Sequence, residues 1–298
     1  MTGLAARQNS KRSIDLHRAI AVAHSRAQRA HTAALLVSVA VATLSVIARI
    51  VPATAPTVAV IGAVWTGTYT VVVVPWAARY QRTSANLQEI LDTELFDLPW
   101  NHVMVGEKLT DDQVSELKYR FRGDEQRLRD YYLVANVRQP YEVLFCLEQN
   151  LGWGSRVRQR YAQLLLTISV LWCSTGVVVG LVADLRIPDL VSTWFVPSLG
   201  LLLLCLDNYR AQLSNTRERS RVREMVVNAF EESARPPLTV GPEWTAFARQ
   251  VQDSLFQMRR QQPRVPAWFF RRYHDRDKRD FEYRMSLFEA RINSTAQP

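Results

Sequence analysis

The sequence has little cysteine and none of the common catalytic motifs. Three cysteines in 298 residues are too few for a disulfide framework, which excludes a disulfide-stapled secreted domain. The patterns GxxxxGK[ST], GxGxxG, GxSxG and HExxH are all absent. We therefore predict no catalytic residues, no metal site and no resident cofactor, and an enzyme is the least favoured class of protein.

Charge is missing from four long stretches, although charged residues make up 22% of the sequence. A helix needs about 20 apolar residues to cross the hydrocarbon core of a bilayer. A single soluble globule is therefore disfavoured, and we predict an all-α protein with four transmembrane helices. The predicted segments are segment one, Thr32–Ile47; segment two, Val58–Ala78; segment three, Ala162–Ala183; and segment four, Leu190–Leu206.

The four segments form two hairpins because only short connections separate the members of each pair. Long polar parts lie before, between and after the hairpins, and they are expected to be helical. The first helix should start at an N-cap formed by Ser13, and the helix after segment two should end near Phe96, because Pro99 in the phrase DLPWN breaks it. A further helix from Pro140 is expected to continue into segment three unless Gly152 and Gly154 bend it. The predicted division is a helix over 1–31, hairpin one over 32–78, a helical block over 79–161, hairpin two over 162–206 and a helical region over 207–298.

Basic residues are distributed unevenly around the hairpins. Of the 37 lysines and arginines, only Arg49 and Arg186 lie in the hairpin connections. Positively charged flanks remain on the cytoplasmic side of a membrane. We therefore predict a multi-pass protein of the bacterial inner membrane with both termini in the cytoplasm, and the lipid bilayer is its first expected partner.

Ionisable residues are absent from the interior of every segment, which argues against a pump, a carrier or a voltage sensor. Segments two and three instead contain small and neutral polar residues. Small residues four apart let helices approach closely, and hydroxyl groups can line an aqueous path. One protomer has too few helices for a wide channel, so a pore requires a homo-oligomer. The candidate pore-lining or helix-packing residues are Thr66, Thr70, Ser174, Gly176 and Gly180.

The net charge of +9 fits a protein that faces an anionic membrane surface. One basic cluster, Arg264–Asp280, also contains several aromatic residues. Arginine forks bind phosphate and aromatic rings stack on bases, so a phosphorylated nucleobase ligand is one interpretation. A solvated helix with interfacial aromatics is the other, and DNA or RNA is not an expected partner. The candidate ligand-binding residues are Arg264, Trp268, Arg271, Arg272 and Arg276.

Three histidines recur at intervals of seven in the first helix. His17, His24 and His31 are too far apart along the helix to bind one metal ion. One interpretation is a polar helix face. The other is a ring of histidines in an oligomer that titrates near pH 6.5.

Several phrases of the sequence resemble one family along nearly the whole chain. The chain is similar to the S-4TM family of proposed pore-forming effectors of bacterial cyclic-oligonucleotide anti-phage defence systems. The phrases are LQEILDTELFDLPWN (Leu87–Asn101), LRDYYL (Leu128–Leu133), CLEQNLGW (Cys146–Trp153) and VPAWFFRR (Val265–Arg272). The LPWN and Gln-Asn phrases are the most specific parts of this resemblance.

The resemblance implies an effector that is activated by a cyclic di- or oligonucleotide from a partner nucleotidyltransferase and that then permeabilises the inner membrane. It supplies no established catalytic residues. Two other functions remain open. One is a constitutive or ion-gated channel of bestrophin-like size. The other is a non-conducting scaffold or receptor. Its partner-binding surface would be the apolar stripe of an amphipathic helix, which is predicted from the helical spacing of Trp244, Phe247, Val251, Leu255 and Met258.

Overall fold

The computed structural model describes residues 3–133, 137, 139–232, 240–262 and 265–295, and all regular structure in these ranges is helical. The fold class predicted from the sequence is therefore confirmed. The helices are α1, Leu4–Gln8; α2, Lys11–Ile50; α3, Ala55–Thr68; α4, Val74–Phe96; α5, His102–Val105; α6, Asp111–Lys118; α7, Tyr141–Gly152; α8, Ser155–Val182; α9, Ile187–Leu190; α10, Val196–Glu232; α11, Pro242–Gln261; and α12, Ala267–Thr295.

Four helical stretches are long and apolar enough to span a membrane, and they contain the four predicted segments apart from Ala183 at the end of segment three. Two of them include a π-helical turn, Tyr69–Val73 between α3 and α4 and Val191–Phe195 between α9 and α10. Each π-helical turn is followed by a proline, Pro75 or Pro197. Proline lacks the amide hydrogen and its ring displaces the carbonyl four residues earlier, which explains why the helix widens there without breaking.

Helix α10 lies at the centre of the four-helix bundle, where it packs against α2, α3 and α8. A tryptophan–serine hydrogen bond joins two helices on each side of the bundle. The indole Nε1 of Trp65 donates to Ser38 Oγ over 2.9 Å, and that of Trp172 donates to Ser198 Oγ over 2.9 Å. These bonds satisfy indole groups for which a lipid environment offers no partner.

The membrane helices continue well beyond the apolar segments. Helix α2 begins at an N-cap formed by Ser10, whose Oγ accepts from the amide of Ser13, and so the N-cap expected at Ser13 is wrong by one turn. Helix α4 ends at Phe96, as the LPWN phrase predicts. The helix from Pro140 does not run unbroken into segment three, because it ends at Gly152 and α8 starts after Gly154, whose φ is positive.

These extensions and the shorter helices form one helical body beside the bundle. Helix α4 packs against α2 and α11, while α7 packs against α10. A single hydrophobic core joins them and includes the fully buried Leu16, Leu87, Leu147 and Leu255. The helices that contain segments one, two and four therefore build both the bundle and the body, and α7 connects segment three to the body.

Candidate functional site

A network of buried charges lies at the centre of the helical body. Asp92 on α4 accepts from the hydroxyl of Tyr132 over 2.5 Å and from Arg259 on α11 over 2.6 Å. Its second oxygen also accepts from Gln252 over 3.0 Å. Burial tends to lower the pKa of Arg259, but the Asp92 carboxylate reverses that effect and raises it. Arg259 is thus held in its charged form inside the core.

A second ion pair extends this network. Glu89, which is fully buried, accepts from Arg249 and, over 2.8 Å, from Gln252. Burial raises the pKa of Glu89, and the neighbouring Arg249 offsets only part of that rise. Buried ion pairs specify an arrangement more than they stabilise it, because desolvation cancels most of the attraction. We call Glu89, Asp92, Arg249 and Arg259 the buried charge network.

Arg219 is a buried cation that connects α10 to the C-terminal end of α7. Its guanidinium donates to the backbone oxygens of Asn150 and Leu151 and to Gln262 Oε1 over 3.2 Å. Burial, together with the nearby Arg158 and Arg259, lowers the pKa of Arg219. The negative end of the α7 dipole compensates for this charge. Arg219 therefore fastens α10 to the point where the chain turns from α7 into α8.

Three of the phrases that carry the family resemblance meet in this region. Asp92 belongs to the first phrase, Tyr132 to LRDYYL and Asn150 to CLEQNLGW, and Asn150 Nδ2 donates to Tyr132 Oη over 2.9 Å. Sequence reasoning did not single out these residues as a site. The available signal was the spacing of Glu89 and Asp92, which share a helix face with Ala85 and Phe96, because buried carboxylates require partners.

A groove lies between α10 and α12 beside another buried carboxylate. Its volume is about 430 Å³, and its lining includes Arg223, Arg284 and Phe288. Glu148 on α7 is fully buried, and its carboxylate accepts hydrogen bonds from Arg223 over 2.6–2.9 Å. The Nη1 atom of Arg284 lies 3.6 Å from Glu148 Oε1. Burial raises the pKa of Glu148 to about 7 against the attraction of Arg223. Two arginines at the groove thus share one carboxylate that is easily protonated.

The histidine repeat faces the protein interior. His17 is buried against Tyr131, with ring centroids 4.7 Å apart, and the Nε2 atoms of His24 and His31 are also shielded from solvent. His17 is therefore buried in the core, whereas His24 and His31 are half-buried. Burial lowers the pKa of His17 to about 4, although Asp92 acts in the opposite direction.

Substitutions at His17 and Glu148 should tilt the pH dependence of stability in opposite directions. His17 takes up a proton near pH 6.5 in the unfolded chain but only near pH 4 in the folded chain. The free energy of unfolding is therefore highest above pH 6.5 and falls by up to roughly 3 kcal/mol as the pH drops from 6.5 to 4. Glu148 takes up a proton near pH 7 in the folded chain but only near pH 4.5 in the unfolded chain. The contribution of Glu148 to the free energy of unfolding is therefore fully present below pH 4.5 and is lost as the pH rises through 7.

As the pH falls from 7 to 5, the free energy of unfolding of His17→Gln should therefore rise relative to that of the natural chain. The free energy of unfolding of Glu148→Gln should fall relative to it. Chemical denaturation in detergent across this range measures both slopes. Equal slopes for the two variants would contradict the assignment, whatever their absolute stabilities.

The start of α12 lies at one end of the four-helix bundle. Phe269 and Val265 are buried in a cluster that contains residues from the ends of the apolar segments. Phe269 packs against Tyr161, with ring centroids 5.3 Å apart. The other buried members of this cluster, which we call the bundle mouth, are Ala34, Ala42, Tyr69, Val157, Leu165, Leu201, Leu204 and Cys205.

The predicted ligand-binding residues occupy the outer face of the first turns of α12. Trp268 is 60% exposed, and Arg271, Arg272 and Arg276 are exposed as well. They share one helix face but line neither the groove between α10 and α12 nor the groove along α10 between Arg210 and Arg221. Arg264 lies outside the described residues.

The predicted pore-lining or helix-packing residues divide into two groups. Gly176 and Gly180 are buried where α8 meets Trp194 and Leu190 of the same hairpin, and a Cβ atom at Gly180 would lie 2.8 Å from Leu190 Cδ2. Thr66 is half-buried, and Gly200 approaches its Oγ1. Thr70 and Ser174 are exposed on the outside of the bundle, and Thr70 Oγ1 donates to the Thr66 backbone oxygen over 2.9 Å.

The apolar stripe of α11 is not a free surface. Trp244, Val251, Leu255 and Met258 are at most 9% exposed and belong to the core of the body. A scaffold that recruits a partner through this stripe is therefore contradicted by the packing of α11.

Comparison with known proteins agrees with this architecture. The family model described as the SMODS-associating 4TM effector domain matches residues 3–287. A curated relative from Bacillus cereus (strain VD146), described as a probable CBASS effector molecule, is 21% identical over 273 residues, which cover 89% of this chain and 90% of the relative. No solved structure matches the chain. The chain belongs to the SMODS-associating 4TM effector family.

Proposed function

We propose that this protein is an inner-membrane effector of anti-phage defence that opens a pore when its helical body binds a cyclic nucleotide. The observation that carries this proposal is that bundle and body share their helices. The helices of segments one, two and four run unbroken into the body, and α7 joins segment three across the turn at Gly154. Membership of an effector family and the description of the relative as a CBASS effector support the biological role. In this arrangement the body and both termini face the cytoplasm.

We propose the α10–α12 groove as the ligand site. Its volume is in the range of small-molecule pockets, which are concave and combine apolar walls with a few convergent polar groups. The guanidinium groups of Arg223 and Arg284 can transfer from Glu148 to a ligand phosphate, and Glu148 then leaves the pair as a protonated acid. Phe288, which stacks on Phe230 at 5.0 Å, offers a ring to a base.

Ligand binding would be transmitted to the bundle along two routes. Release of Glu148 loosens α7 at its junction with segment three, and movement of α12 withdraws Phe269 from the bundle mouth. To shift the ratio of open to closed protein from 1:99 to 99:1, the ligand must bind the open state more tightly than the closed state by about 5.5 kcal/mol. A few desolvated arginine–phosphate bonds supply energies of that order. Protomers would assemble into a homo-oligomer with Thr70 and Ser174 along the aqueous path.

Dye release from liposomes that contain the full chain tests the proposal. We expect release only after a cyclic di- or oligonucleotide is added on the side of the body. Steady release without nucleotide would instead favour the constitutive channel. No release with any member of a broad cyclic-nucleotide panel would contradict pore formation.

Arg284→Gln tests the groove separately from the pore. Loss of one charge-assisted phosphate contact, worth about 1.5–3 kcal/mol, should raise the nucleotide concentration for half-maximal release by at least about tenfold. Lys278→Gln is the matched control, because Lys278 lies on the same helix and forms an exposed pair with Glu282. An unchanged dose response in Arg284→Gln would exclude the groove while leaving the effector role intact.

A further inference from the structure

We propose that the exposed face of α12 formed by Trp268, Arg271, Arg272 and Arg276 binds the phosphate headgroups of anionic phospholipids. We call it the α12 basic face. Its occupant is the surface of the same bilayer that the four segments cross, so it acts as an interfacial anchor. This inference requires only membrane insertion and holds whether or not the body senses a nucleotide.

The level of this face along the bundle is set by Phe269. Phe269 is 6% exposed and packs with Tyr161, which immediately precedes segment three. The same cluster includes Ala34 near the start of segment one and Leu204 near the end of segment four, and it extends inward to Ala42 and Tyr69. The first turn of α12 therefore lies where the apolar segments meet the body, at the level of the lipid headgroups.

The orientation of the face is fixed by contacts on the opposite side of the helix. The guanidinium of Arg160 on α8 lies 4.6 Å from the centroid of the Tyr273 ring and 3.5 Å from Asp277. Arg156 pairs with Asp280 one turn further along. Because Phe269, Tyr273, Asp277 and Asp280 turn toward α8, the basic face turns away from the protein.

The composition of the face matches a phospholipid surface. Among the described side chains, the ion pairs of α12 involve other residues than Arg271, Arg272 and Arg276. Arginine forks bind phosphate oxygens, and tryptophan is enriched at membrane–water interfaces. A cyclic nucleotide carries the same phosphodiester chemistry, but pockets for small molecules are concave and this face is the outside of a helix. An extended anionic surface is the occupant that the geometry fits.

Hydrogen exchange of the full chain in lipid nanodiscs tests this assignment. Backbone amides in residues 267–280 should exchange on the order of ten- to a hundredfold more slowly when phosphatidylglycerol is added to phosphatidylcholine, because each arginine near an anionic surface contributes about a factor of five. The triple variant Arg271→Gln, Arg272→Gln, Arg276→Gln should lose this protection, and high salt should weaken it in the natural chain.

A matched variant, Arg120→Gln, Arg122→Gln, Arg127→Gln, removes the same charge from exposed positions elsewhere in the body and should keep the protection. Exchange that does not depend on phosphatidylglycerol would overturn the proposal. Protection that appears instead in neutral nanodiscs after a cyclic dinucleotide is added would also overturn it and assign the face to the soluble ligand.

Discussion

Replacing Asp92 by alanine is expected to lower the free energy of unfolding by about 3–5 kcal/mol. The side chain is 1% exposed, and its removal leaves the buried Arg259 without its counterion and Tyr132 without its acceptor. An uncompensated buried charge costs far more than the intact pair contributes. Denaturation in detergent, followed by the circular dichroism of the helices, measures the loss.

Two further variants distinguish the loss of the buried ion pair from the loss of an exposed carboxylate. Asp111→Ala breaks an exposed pair with Arg12 and should cost less than about 1 kcal/mol, because exposed pairs are screened by water. Adding Arg259→Met to Asp92→Ala should recover most of the loss, since no unpaired charge then remains in the core. A double variant as unstable as the sum of the single variants would show that the two side chains do not form a pair.

Replacing Gly62 by alanine is expected to weaken the packing of hairpin one against α10 by about 3 kcal/mol, the upper end of the range for overpacked cores. A Cβ atom at Gly62 would overlap the backbone of Pro197, which cannot move aside as a flexible side chain does. The two helices must therefore separate, and the Trp65–Ser38 bond beside the contact is disturbed with them. The thermal midpoint in detergent should fall by several degrees.

Gly67→Ala is the matched control because it lies on the same helix and has no atom within 4 Å of the added methyl group. It should unfold at the same temperature as the natural chain or slightly above it, since alanine is the better helix former. Equal midpoints for the two variants would contradict the close approach of α3 and α10.

The residues that form the candidate site show how far sequence patterns reach. The spacing of Trp244, Phe247, Val251, Leu255 and Met258 correctly predicted helix α11, because its apolar stripe follows the helical period. The same period could not indicate that the stripe is buried rather than available to a partner. That outcome depends on α4 and α10, which reach α11 from distant parts of the sequence.

The buried charge network illustrates the same limit more strongly. Glu89 and Arg249 are separated by 160 positions, and no local rule pairs them. Likewise, Arg223 meets Glu148 only because α10 and α7 pack side by side. Pairing across such distances depends on the tertiary packing of several helices, and the sequence of each helix by itself does not indicate it.

The sequence by itself determined the helical class, the four apolar segments and the helix end at Phe96, since these depend on charge-free length, periodicity and proline, which act within a few turns. Only the tertiary structure decided which glycines touch a neighbouring helix, which arginines are buried and where α12 begins relative to the bundle. These features depend on the packing of side chains that are far apart in the chain, and local patterns do not specify that packing.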